Sequence, residues 1–99
     1  MKNALIIIDV QNDYFETGAT ELVATKEASI NARLILERFR NENRPVIHIQ
    51  HISTRPNATY FLPGTTGAGI HKNVYPNSTE KIVVKHFPNS FRETELLEY

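Results

Sequence analysis

Ala4-Leu5-Ile6-Ile7-Ile8 is an unbroken, largely β-branched run that stops abruptly at Asp9, and it constrains the fold more than any other stretch. A strand with one wet face alternates apolar and polar residues. A strand covered on both faces reads instead as continuously apolar, the pattern of a parallel sheet flanked by helices. The run is far short of the roughly 20 residues that a bilayer span requires. It is also too short for the apolar region of a signal peptide, so a cytoplasmic protein is the expectation.

The next periodic segment is helical. From Thr25 to about Asn43, Ala28, Ala32, Ile35 and Phe39 fall on one face, with Lys26, Arg33, Glu37 and Arg40 largely off it. Thr25 is the expected N-cap, and the helix should end before Arg44-Pro45, because proline disfavours helical geometry in the residue before it. Pro45 to Ile52 is again β-branched and reads as a second strand, giving strand, helix, strand. Lys81 to Lys85 makes a third strand. After Phe87-Pro88, Ser90-Phe91-Arg92-Glu93 has the spacing of a capping box and predicts a further helix still running at Tyr99. About 25 residues between the second and third strands lack periodicity, and a loop of that length is usually functional or mobile.

The expected architecture is therefore α/β, the first half of a three-layer doubly wound parallel sheet, in one domain over residues 1–99. Right-handed crossovers predict the spatial order third, second, first strand, leaving the first at an edge. That edge is apolar and carries no lysine, proline or bulge, so self-association into a homo-oligomer is expected.

Eleven basic residues balance eleven acidic ones; no net field favours nucleic acid or an anionic membrane as partner. There is no cysteine, which excludes a disulfide framework, a thiolate metal site and thiol catalysis by any residue present.

In open parallel sheets ligands bind beyond the carboxyl ends of the strands. Asp9 and Lys85 each end an apolar strand, so parallel strands would bring a carboxylate and an ammonium to one edge. Such a pair can prepare a group for proton transfer; strand-end charges can also merely mark where the chain reaches water. His48 and His51 are three apart and point to opposite faces of a strand, which argues against a shared metal. His71 and His86 could in principle join Asp9 around zinc, but no tight ligand pair is present, and no metal or cofactor is expected. Gly64-Thr65-Thr66-Gly67-Ala68-Gly69 lacks the order and the following Lys-Ser or Lys-Thr of a phosphate loop. Asn57-Ala58-Thr59 and Asn77-Ser78-Thr79 match the glycosylation sequon only by chance. Gln11 stands where an aspartyl phosphotransferase would need a second aspartate.

Taken together, the segments Ala4 to Asp13, Val46 to His51 and Val83 to Phe91 resemble, in order and spacing, the first three signature segments of isochorismatase-like hydrolases. The resemblance implies a six-stranded, mostly parallel sheet and a catalytic triad of aspartate, lysine and cysteine, in which Asp9 matches the aspartate and Lys85 the lysine. It implies a thiol that attacks a carbonyl, a covalent acyl intermediate, and small amides such as nicotinamide or ureido acids as substrates. Gln11, Phe15 and His51 are the candidate substrate-binding residues. Members that bind zinc carry an aspartate and a histidine after the second strand, where this chain reads Ile52-Ser53-Thr54-Arg55-Pro56-Asn57, so a metal-free site is expected. The cysteine of the family follows the helix expected from Ser90, and the chain reads as truncated before it. The alternative is a non-catalytic half-fold that serves in binding or self-assembly.

Overall fold

Strands β1 (Leu5–Ile8), β2 (Val46–His51) and β3 (Lys81–Lys85) form a parallel sheet in that spatial order, with helix α1 (Thr25–Asn41) crossing between the first two. The computed structural model describes residues 3–16, 18–90, 92, 94 and 96. The register pairs Leu5 with Val46 and Ile7 with His48, and on the other side of β2 it pairs Ile49 with Val83 and His51 with Lys85. The expected strand order is the observed one, with β1 at the edge.

Because side chains alternate along a strand, this register sorts the apolar residues into two layers. Ile7 and Val46 pack with Leu36 of α1 and with Ile70 and Val74 of the long connection. On the opposite face Ile47, Ile49 and Val83 pack with Leu96. Each face is covered over only part of its width. Ile6 and Ile8 remain 41 % and 49 % exposed beside the second cluster, and Ile82 and Val84 of β3 are 42 % and 43 % exposed.

The buried stripe of α1 runs through Ser29 and Leu36, with Ala32 and Phe39 against the same core. This corrects the expected stripe. Ile35 is exposed, as is Ala28, because the helix carries apolar residues at Ile30, Leu34, Ile35 and Leu36, and apolar spacing alone cannot choose among adjacent faces. Thr25 is not the N-cap either. Ala24 holds that position in a left-handed conformation with no side-chain cap, while the Thr25 hydroxyl donates to the Leu22 carbonyl at 3.3 Å. At the other end Asn43 is left-handed (φ 54°), and the amide of Arg44 reaches back to the Phe39 carbonyl at 2.9 Å. That is a Schellman stop with asparagine in the usual glycine place, two residues ahead of Pro45.

A buried ionic knot fastens the end of α1 to the start of β3. Arg40 donates to both carboxylate oxygens of Glu80, from Nε at 2.6 Å and from Nη2 at 2.8 Å, and His48 Nε2 lies 2.8 Å from Glu80 Oε1. Burial alone would raise the carboxyl pKa of Glu80, but hydrogen bonds from Arg40, His48 and the Asn77 amide, with the charge of Arg40, hold it down at about 2. Burial lowers the pKa of His48, against the pull of Glu80. The ring is therefore neutral near pH 7 and donates from Nε2, which leaves its buried Nδ1 without a partner among the described residues.

The long connection is ordered by packing: it contributes buried Phe61, Ala68, Ile70 and Val74 and a short 3₁₀ turn at Lys72–Val74. The helix expected from Ser90 falls partly on residues 91, 93, 95 and 97–99, outside the described residues. The described Ser90, Arg92, Thr94 and Leu96 lie in turns and a bend, with the Thr94 hydroxyl 2.6 Å from the Ser90 carbonyl. Among the described residues no helix is long and apolar enough to cross a membrane.

Candidate active site

At the carboxyl edge of the sheet the chain leaves β1 through Asp9, whose φ is +59°. Aspartate tolerates the left-handed region better than the branched residues before it. The Asp9 amide still bonds the Ile49 carbonyl at 3.0 Å, so the sheet ladder runs up to the kink. Lys85 ends β3, two strands away. Its Nζ lies 3.2 Å from Asp9 Oδ2 and 3.1 Å from the Pro88 carbonyl. The lysine side chain is only 2 % exposed, whereas Asp9 is 24 % exposed. Asp9 Oδ1 is buried and has no hydrogen-bond partner among the described residues. The two strand-end charges thus meet across β2, with one carboxylate oxygen still unengaged.

His51, the last residue of β2, sits between them in register with Lys85. Its pKa is lowered, first by burial; Asp9 opposes the shift, and the charges of Lys85, His86 and Arg55 add to it. The imidazole is accordingly neutral near pH 7. An aromatic wall adjoins it: the Phe61 ring lies 5.6 Å from His51, 4.8 Å from Tyr14 and 5.1 Å from Tyr60. The Tyr14 hydroxyl is held above its usual pKa by burial and then by the charge of Asp9, so it remains a donor.

Gln11 is completely buried and spends its side chain on main chain. Nε2 donates to the His51 carbonyl at 2.8 Å and to the Ala68 carbonyl at 2.7 Å, while Oε1 accepts from the His51 amide at 2.8 Å. It staples the end of β2 to the long connection. Phe15 is placed elsewhere: it stacks on His71 at 3.7 Å in a cleft of about 740 Å³ that neither Asp9 nor Lys85 lines. The structure brings Asp9, Lys85 and His51 together with Gln11 behind them, and it does not bring Phe15 to the pair.

Sequence reasoning missed the residue that shapes the wall. Asp13 is 6 % exposed; its carboxylate accepts from the Phe61 amide at 2.7 Å and from the Ala19 amide at 3.1 Å. Phe61 is left-handed (φ +56°), an unusual state for a bulky residue that surrounding contacts must enforce. Gly67 packs so tightly on Asp13 that a Cβ there would land on the carboxylate, which its two amide bonds prevent from moving aside. The only sequence signal was the coincidence of a second acid after Asp9 with a glycine-rich stretch far downstream. Gly67→Ala is expected to destabilise the fold by about 1–3 kcal/mol, the usual cost of overpacking, read as a lower urea midpoint; an unchanged midpoint would contradict the packing described.

The Isochorismatase domain model matches residues 3–99. The chain belongs to the isochorismatase family. It is 46 % identical over 96 residues to the isochorismatase family protein YddQ of Bacillus subtilis, covering 97 % of this chain and 53 % of that protein. A solved structure from Oleispira antarctica, described as an isochorismatase hydrolase, superposes with a TM-score of 0.92 at 42 % identity, over 96 % of this chain and 52 % of that one. N-carbamoylsarcosine amidase from Thermoplasma acidophilum shares the fold at TM-score 0.89 and 22 % identity, over 99 % of this chain and 60 % of its own. The chain spans about half the length of the curated relatives it matches. The partial α/β sheet described above is therefore that of the family's hydrolase fold.

Proposed function

We propose that these residues carry the proton-handling part of a metal-free cysteine amidohydrolase that cleaves the C–N bond of small amides, with Asp9 and Lys85 in the catalytic roles and the thiol supplied from outside the 99 residues. What carries the reading is the 3.2 Å approach of Lys85 Nζ to Asp9 Oδ2, beside an Asp9 Oδ1 that is buried and unengaged. A carboxylate with one oxygen bound to an ammonium and the other free can accept the proton of a thiol. The thiolate then adds to the amide carbonyl, the C–N bond breaks as the amine takes the proton from Asp9, and water cleaves the thioester. Lys85 offsets the charge that passes through the site.

On this reading substrate rests against His51 and the Tyr14, Tyr60 and Phe61 wall. Gln11 acts by fixing the end of β2, and Phe15 through the turn it closes at Asn12–Tyr14. No step in this reading is routed through a metal. The partner in this reading is a small molecule, and the compartment the cytoplasm. Nicotinamide titrated into the labelled chain is expected to shift the backbone resonances of residues 9–14, 51 and 85–86. Asp9→Ala and Lys85→Ala should each abolish the response with the fold retained by circular dichroism. A response indifferent to both substitutions would refute the assignment.

One observation favours a second reading, self-assembly. β1 is an edge strand without a charged residue, and its Ile6 and Ile8 are 41 % and 49 % exposed, the kind of edge that invites strand pairing. The chain should sediment as a dimer or larger, and Ile6→Lys should shift it toward monomer. A wild-type monomer at millimolar concentration would contradict this.

A further inference from the structure

Arg55 stands apart from the other arginines. Arg33, Arg38 and Arg44 are paired with glutamates of α1 or its end, Arg40 with Glu80, and Arg92 lies over the Phe87 ring. The guanidinium of Arg55 has no hydrogen bond or ion pair among the described residues, although its charge reaches His51. Its backbone is nonetheless well fixed. Arg55-Pro56-Asn57-Ala58 closes with the Ala58 amide on the Arg55 carbonyl at 3.3 Å, and Asn57 is left-handed (φ +64°). Proline followed by a residue of positive φ is the pattern of a type II turn.

The turn stands at the carboxyl edge where the site lies. Just before it, the Ile52 amide bonds the Lys85 carbonyl at 2.9 Å and the Ser53 amide bonds the Phe61 carbonyl at 2.8 Å, while His86 Nδ1 meets the Ile52 carbonyl at 2.8 Å. Arg55 is thereby tethered three residues beyond a contact with the end of β3 and two beyond a contact with the aromatic wall. Asp9 pairs with Lys85 and His51 is uncharged, so among the described residues Arg55 brings this edge a positive charge without a counter-charge, on a planar group suited to bidentate binding of a carboxylate.

We infer that Arg55 selects substrates that carry a carboxylate in addition to the amide, the amide lying at Asp9 and Lys85 and the carboxylate at the guanidinium. The inference rests on the proposed site and extends it to a substrate class: planar amides that are also anions. An exposed charge-assisted contact is sensitive to salt, so the selectivity should fade as ionic strength rises.

The test compares 4-carbamoylbenzoate with benzamide, both titrated into the 99-residue chain at low salt and followed by backbone resonances. The acid should bind about tenfold more tightly, the low end for a hydrogen bond to a charged group. With Arg55→Gln the two affinities should converge, whereas Lys72→Gln, which removes a cation on the 3₁₀ turn at Lys72–Val74, should leave the preference intact. Equal affinities in the unaltered chain, or a preference that survives Arg55→Gln, overturn the inference while leaving the site itself standing. Benzamide binding that is indifferent to Asp9→Asn and Lys85→Gln, or no binding of either ligand, overturns the site reading and this inference together.

Discussion

Incubated with nicotinamide, a ureido acid or a simple carbamoyl compound, the 99-residue chain is expected to release no ammonia above the uncatalysed rate. Covalent amide hydrolysis needs a nucleophile, and the sequence has no cysteine. Ser90 is the nearest aliphatic hydroxyl in sequence to Lys85, but among the described residues no base is aligned with it. Removing the nucleophile of a hydrolase costs many powers of ten; in subtilisin the loss is about 2 × 10⁶ in kcat. Asp9 and Lys85 alone could only orient substrate or water. A polypeptide in which the same reading frame continues into a cysteine-bearing strand should turn over, and Asp9→Ala should abolish that turnover. Asp9-dependent hydrolysis by the 99 residues themselves would overturn the thiol mechanism and point to direct activation of water.

The parts of the fold that were legible were those governed by local chemistry. Continuous β-branched runs ending at Asp9 and Lys85 marked parallel strands and set both charges at one edge. Handedness of the crossover then gave the strand order. What was not legible depended on contacts distant in sequence. The inward face of α1 is chosen by where Ile70 and Val74 come to lie, which apolar spacing within the helix does not encode. Gln11 reads as a polar residue two positions after Asp9, and only the fold shows that its amide is consumed by His51 and Ala68. Phe61 sits in a stretch without periodicity, yet a backbone bond to Asp13, 48 residues away, makes it the centre of the aromatic wall.

Glu80 illustrates the same limit with a larger energetic consequence. In sequence it is one acid before a strand; in the structure its side chain is 4 % exposed and holds Arg40 and His48 together. Glu80→Ala is expected to destabilise the chain by about 3 kcal/mol, near the lower bound for breaking a buried ion pair, since Arg40 retains some access to water. The same residue should shape the acid limb of stability. An unfolded chain protonates Glu80 near its ordinary value of 4.5, whereas the folded chain does so only at about 2. Between those values the unfolded state binds more protons, so the stability contributed by Glu80 is complete above pH 4.5 and is lost as pH falls toward 2. His48 adds a loss beginning higher. Its folded pKa lies below the ordinary 6.5, so stability declines as pH falls below 6.5, where the unfolded chain takes up a proton that the buried ring resists. Urea midpoints measured from pH 7 to pH 2 should therefore fall in two stages. Glu80→Gln removes the carboxylate from the lower stage and should flatten the curve between pH 4.5 and 2. A Glu80→Gln curve parallel to the wild type across that interval would show that the buried knot contributes nothing to the acid sensitivity of the fold.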